Sequence, residues 1–208
     1  MILESIVTTL NEVDVNATLS DRVNISPMGP RILSRHADGA LATFQLRPFD
    51  SSRTFANLKR TRQGVLHVDD NVELFAATAI GQLGELPDLY DAERVMGQII
   101  ADACRAYEFE VKYIDETGNR MSLNCEVVAS HRHRDFFGFN RAKHAVLEAA
   151  ILATRVNFLP KEEILSSFSR LKTIVEKTAG PTEFNAYELL SKFVKAQYDE
   201  QASEKADA

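Results

Sequence analysis

The sequence predicts an α+β fold, with a mainly antiparallel β-barrel core followed by a C-terminal helical region. Short β-branched-rich runs separated by turn residues occupy most of the first two thirds of the 208 residues, and helical periodicity takes over from Asn140. Such segregation fits strands packed among themselves, not the strand-helix alternation of a parallel sheet. At 45% hydrophobic residues the chain can bury a full core. The expected partition is a barrel core at 1–135, a helical region at 136–198 packed on it, and a disordered polar tail at 199–208.

Glu4 to Leu10 and Arg22 to Ile25 read as strands joined by a polar loop of Asn, Asp, Ser and Thr residues. The second runs into Ser26-Pro27-Met28-Gly29-Pro30, whose two prolines cannot donate to a ladder, so this segment belongs at a sheet edge or leaves the sheet. Ala40 to Leu46 is the next strand. Pro48 to Ser52 supplies a turn and caps for a short helix from Arg53 to Arg62, and Gly64 to Val68 is a further strand. Asp70 and Glu73 have capping-box spacing ahead of a short apolar helix through Leu74, Phe75 and Ile80. Val95, Met96, Ile99, Ile100, Ala103 and Cys104 recur at helical spacing and predict a longer helix. Phe109 to Ile114 and Met121 to Ser130 form a hairpin around the turn residues Asp115 to Asn119. Ala145 to Leu152 marks the first C-terminal helix. Pro160 opens a second through Val175, ended by Gly180-Pro181, and a third runs from about Phe184 to Tyr198.

A formal charge of -6 argues against general affinity for nucleic acid or anionic membranes. The charge is unevenly spread. Pro30 to Gln63 holds seven Lys or Arg and two acids, whereas Val68 to Glu93 holds seven acids and no Lys or Arg. A local anion site inside an acidic protein fits this pattern. Cys104 and Cys125 lack Cys-x-x-Cys spacing, so neither a disulfide framework nor a zinc site is indicated. With no signal-like N-terminus and no apolar run of membrane-spanning length, a soluble, unprocessed, cytoplasmic protein is expected.

The stretch from Arg47 to Leu58 brings hydroxyls, backbone N–H groups and guanidinium groups to one helix N-terminus, where free amides and the macrodipole favour a phosphate. An ordinary capped surface helix with Asp50 as the cap explains the same residues. Gly29 in Asn24 to Pro30 permits close backbone approach of a planar heterocycle, and a proline-rich strand exit without ligand is the plainer alternative. His131 and His133 share a strand face, which suits a metal pair, but two ligands without a third leave the expectation at no metal. Asn140, Arg141, Lys143 and His144 make a basic cluster at a helix start, suited to an anionic substrate and equally to a solvated helix face or a dimer contact. There is no dinucleotide fingerprint, Walker loop or nucleophile elbow.

Five stretches together carry a resemblance: Ile2-Leu3-Glu4-Ser5-Ile6-Val7-Thr8-Thr9, Asn24 to Pro30, Arg47 to Leu58, Gly138-Phe139-Asn140-Arg141-Ala142-Lys143-His144-Ala145-Val146, and Val175-Glu176-Lys177-Thr178-Ala179-Gly180. Over most of its length, excluding the tail, the chain resembles the domain-of-unknown-function 447 family. The resemblance implies an FMN-binding split β-barrel of the flavin reductase kind, a homodimer with the flavin near the subunit interface, and a role near tetrahydromethanopterin-linked one-carbon metabolism. It implies FMN phosphate contacts from Arg47, Ser51, Ser52, Thr54 and Asn57, and a flavin ring beside Ser26, Pro27 and Met28. The loop Asn11 to Asp21 is longer than the tight hairpin it implies, and His67 stands where it implies Asn. If His67 faces the cofactor the ring environment is changed; if it faces the core, nothing is. The leading expectation is an FMN-dependent oxidoreductase acting on a small redox substrate. The alternatives are a non-catalytic FMN-binding or assembly protein, and a module for a pterin or other anionic metabolite.

Overall fold

The structure, a computed structural model, describes residues 1–14, 16–118 and 120–206, with side chains as far as Ser203. In chain order the elements are β1 (Ser5–Leu10), α1 (Leu19–Arg22), β2 (Val23–Met28), β3 (Arg31–Arg35), β4 (Leu41–Leu46), α2 (Arg53–Thr61), β5 (Gln63–Val68), α3 (Val72–Ala79), β6 (Leu89–Asp91), β7 (Gln98–Ile100), β8 (Arg105–Asp115), β9 (Ser122–Arg132), α4 (Arg141–Ala153), α5 (Lys161–Thr178) and α6 (Pro181–Ala206). They form two compact units, Met1–Asp69 with Glu85–Phe136, and Asp70–Gly84 with Phe137–Ala208.

The first unit is a split β-barrel. Its seven-stranded sheet has the order β2-β1-β5-β8-β9-β4-β3, antiparallel at every described pairing. The two end strands, β2 and β3, are consecutive in the chain and joined only by Gly29-Pro30. The register that pairs Ser5 with Met28 continues unshifted to a bridge between Ile2 and Arg31. Backbone bonds from the Leu3 N–H to the Pro30 carbonyl and from the Ile32 N–H to the Met1 carbonyl complete the seam. The run from β2 into β3, paired with β1 over its first part and with β4 over its second, thus closes the sheet at this seam, while β2 keeps one edge unpaired. Pro27 lies in β2 opposite Ile6, on a strand whose only partner among the described strands is β1, which is where a residue without an N–H is tolerated.

Inside the barrel, Val7, Phe44, Leu46, Leu58, Leu66, Phe109 and Leu123 are fully buried in one cluster. Phe44 meets Phe109 edge to face at 5.1 Å, and Gly64, paired with Phe109, has no room for a side chain, since a Cβ there would stand 2.8 Å from the Phe109 ring. Alternation along β5 and β8 turns Val65 and Ala106 to the opposite face, where they pack with Val95 and Ile99. The segment around Val95 to Cys104 is thus not the helix its spacing predicts. It is the β6–β7 hairpin and its flanks, laid over the outside of the barrel. Gly97 sits with its Cα side against Val65, where a Cβ would be 3.1 Å from Val65 Cγ2. Burial of Val95, Ile99, Ile100, Ala103 and Cys104 was legible; exposed Met96 shows that no continuous helical face was present.

The loop expected between the first two strands contains α1, capped by Thr18 and Asp21 in a reciprocal capping box. Val15 in this loop and Asn119 in the β8–β9 turn lie outside the described residues. The α3 cap is Asn71 rather than Asp70: its side-chain oxygen accepts the Leu74 N–H.

The second unit is helical. Segment 70–84, expected in the barrel region, belongs here because α3 buries Val72 and Ala76 in the same cluster as Ala142, Ala145, Ala149 and Ala153 of α4, Ile164 and Phe168 of α5, and Ala186, Leu190 and Val194 of α6. The run of small alanines lets the helices approach closely. Asn140 caps α4, accepting from the Ala142 and Lys143 N–H groups. The expected disordered tail is corrected in part: α6 continues through residues 199–206, where Asp199 to Ala206 contains no Gly or Pro to stop it, and Asp207 and Ala208 lie outside the described residues. No helix among the described residues is long and apolar enough to cross a membrane.

Candidate functional site

The sheet closure creates a cavity. The Gly29 end of β2 and the start of α2 border the same opening. The result is a cavity of about 420 Å³ lined by Ser26, Pro27, Met28 and Gly29 from the strand exit, Arg47, Pro48, Phe49, Ser52 and Thr54 from the β4–α2 connection, and Ile2, Arg31 and Arg120. Six of the eight residues expected to hold a cofactor, namely Ser26, Pro27, Met28, Arg47, Ser52 and Thr54, meet in this one cavity although the sequence separates them by up to 28 positions.

Ser51 and Asn57 are not among its lining residues. Ser51 is exposed, its backbone N–H held by Asp50. Asn57 lies one turn into α2 and points toward the barrel, where its amide donates to Thr9 Oγ1 at 3.0 Å and Asn11 Oδ1 at 2.9 Å. It ties α2 to β1 and positions the helix whose start faces the cavity.

The chemistry of the cavity is that of an anion receptor. Ser52 caps α2 by accepting the Phe55 N–H while its hydroxyl donates to the Phe49 carbonyl. The backbone N–H groups of Arg53 and Thr54, in the first turn, have no intrahelical acceptor. Thr54, 3% exposed, accepts at Oγ1 from Asn24 Nδ2, so its hydroxyl proton remains to be donated. Neither Arg47 nor Arg31 has an acidic partner among the described residues, and no Asp or Glu lines the cavity. The Arg120 guanidinium lies over the Phe49 ring at 4.3 Å from its centroid. Sequence reading gave no role to Arg31, Phe49 or Arg120. Phe49 lies within the Arg47 to Leu58 stretch and Arg31 adjoins the Asn24 to Pro30 stretch; Arg120, in the connection between β8 and β9, carried no local signal.

His67 is a core residue. It is fully buried on β5, with Nδ1 3.3 Å from the Ile6 carbonyl and Nε2 accepting the Ile100 N–H at 3.1 Å. One nitrogen donates and the other accepts, so the ring is neutral, and burial drives its pKa down to about 3. It links β1 and β5 to the outer hairpin. His131 and His133 stack with ring centroids 6.3 Å apart, but His131 bonds Glu108, and His133 bonds Tyr90 and the Ala103 carbonyl. In the helical unit, Asn140 is the α4 cap and also donates to the Thr178 carbonyl, while Lys143 pairs with Asp70 at 3.0 Å. Arg141 is exposed.

Comparison with known proteins agrees with this architecture. Residues 3–134 match the N-terminal domain of a protein family of unknown function, DUF447, and residues 140–192 match that family's second domain. Among solved structures, an FMN-bound DUF447 protein from Methanosarcina mazei superposes with a TM-score of 0.73 at 20% identity, over 92% of this chain and 94% of that one. An NADH:FAD oxidoreductase from Streptomyces globisporus gives 0.48 at 13% identity, over 64% and 76% of the two chains. An FMN-binding protein from Thermus thermophilus gives 0.48 at 18%, over 67% and 77%. No curated protein matches by sequence.

Proposed function

From the premise that this chain belongs to the DUF447 family, we propose that it is a flavoprotein that binds FMN in the cavity at the start of α2. The observation that carries the reading is the donor set: a guanidinium with no acidic partner, a hydroxyl with its proton free and unsatisfied helix-start amides converge where no carboxylate opposes them. The FMN reported for the Methanosarcina mazei relative, which shares the fold, supports it. Arg47, Thr54 and the first turn of α2 would hold the phosphate, and Ser26, Pro27 and Met28 the ring. One phosphate cradle without a dinucleotide fingerprint favours FMN over FAD.

Bound FMN would supply hydride or electron transfer, and the polypeptide binding, orientation and access. The cavity lining has no His, Asp, Glu, Lys or Cys, and hydride transfer to a flavin needs no side-chain acid or base. On this reading the protein is an oxidoreductase linked to tetrahydromethanopterin-type one-carbon metabolism, a link resting on the family resemblance alone. It is also read as a homodimer: Ile2 and Phe49 at the cavity, and Phe137 and Phe139 in the helical unit, are more than half exposed, an arrangement that self-association would cover.

The test is to purify the protein, release its ligand by heat and identify it. FMN is the expected chromophore. FAD as the main species, or no flavin after reconstitution, would overturn the assignment. Bleaching of the bound flavin by reduced nicotinamide would favour a catalytic over a structural role.

A further inference from the structure

The cavity holds more positive charge than one FMN phosphate requires. A phosphate monoester carries about -1.5 to -2 at neutral pH. Arg47 and the N-terminus of α2 together offer one full charge plus roughly half a charge from the helix, which balances that anion closely. Arg31 and Arg120 line the same cavity with two further positive charges, and no carboxylate lies among the lining residues. All three guanidiniums are exposed, and an anion bound among them would meet several charged donors with no opposing carboxylate. The Arg120 guanidinium carbon lies 4.3 Å from the Phe49 ring centroid, a contact with the ring face that still allows its N–H groups to donate to an anion.

We propose that Arg31 and Arg120 form a second anion subsite that receives a carboxylate- or phosphate-bearing substrate beside the flavin. This assignment rests on the FMN reading above. It makes the two arginines specificity determinants: they select anionic over neutral redox partners by charge and by the planar fork each presents, while Arg47 and Thr54 serve the cofactor.

The experiment uses protein reconstituted with FMN, as wild type, as R31Q/R120Q and as R35Q, a control at an exposed arginine outside the cavity whose guanidinium bonds the Gly39 carbonyl. Inorganic pyrophosphate is the probe, read by the visible spectrum of bound flavin and by the fluorescence of any flavin released. Wild type and R35Q should show a saturable spectral change without release. R31Q/R120Q should need at least tenfold more pyrophosphate while its FMN affinity falls less than threefold. A tenfold loss of FMN affinity in R31Q/R120Q would overturn the subsite by giving both arginines to the flavin phosphate. Absence of a saturable change in FMN-loaded wild type, or release of FMN by the probe equally in all three proteins, would also overturn it while leaving the cofactor assignment standing. Failure of wild type to take up FMN would instead remove the parent reading and this one with it.

Discussion

Glu108 on β8 and His131 on β9 are joined across adjacent strands, with His131 Nε2 2.7 Å from a carboxylate oxygen of Glu108, whose side chain is fully buried. The same carboxylate accepts the backbone N–H groups of Glu93, Arg94 and Val95 at 2.9, 2.6 and 3.0 Å. One buried acid thus fastens the outer hairpin to the barrel wall. Burial alone pushes its pKa up, but the bonds from Glu93, Arg94, His131 and Val95 outweigh this and hold it below the ordinary carboxylate value. Glu108→Ala leaves three N–H groups without their acceptor and should lower stability by about 3 kcal/mol or more, measured by urea unfolding. A loss under ~1 kcal/mol would show that the hairpin does not depend on this anchor.

His67 predicts the onset of acid sensitivity. Its folded pKa of about 3 lies below the ordinary value of 6.5, so its neutral form stabilises the fold fully above pH 6.5. As pH falls through that value the unfolded chain takes up a proton that the folded chain refuses, and stability drops by about 1.4 kcal/mol per pH unit until the folded pKa is reached. Glu108 adds to the loss only below about pH 4.5, where its unfolded form begins to protonate. Between pH 6.5 and 5, His67→Gln should be less stable than wild type at the upper limit and show a shallower pH slope. Unfolding curves with parallel slopes for the two proteins would refute this.

For the cofactor, Arg47→Ala and Thr54→Val should weaken FMN more than riboflavin, because each removes a phosphate contact worth about 1 to 3 kcal/mol when charge-assisted. Titration of each variant with both ligands checks this. Equal losses would place the phosphate elsewhere.

The barrel strands were legible because alternation and turn chemistry are local: the Phe109 to Ile114 run lies within β8, and the Met121 to Ser130 run falls within β9 from Ser122 onward. The 95–104 segment was misread because its buried positions follow helical spacing by chance, and Gly97 against Val65 is a tertiary fact. Likewise, six cavity residues lay in two stretches with visible punctuation by proline, glycine and capping serine, whereas Arg120 stands in the turn between β8 and β9, far in sequence from both, and reaches the site through tertiary structure. Asn57 was legible as a polar residue near the helix start, but helical phase turns it toward Thr9 and Asn11.

The basic cluster opening α4 separates into residues with different tasks. Lys143 is 21% exposed in its side chain and pairs with Asp70 at 3.0 Å, with Glu183 at 4.0 Å, both acids lying mostly buried at the start of their helices. A lysine in the first turn of a helix meets the positive end of the macrodipole, a cost that these two carboxylates offset. Lys143→Met would leave both acids without their shared cation in a low-dielectric setting, and should destabilise the protein by about 2 to 4 kcal/mol. Arg141, exposed on the same turn, has no ion pair among the described residues, so Arg141→Ala should change stability by no more than about 0.5 kcal/mol. Thermal and urea unfolding of the two variants side by side checks the contrast. Equal, small effects would mean that Lys143 contributes no more than an ordinary surface charge, and would reopen it as a group held for an external anion.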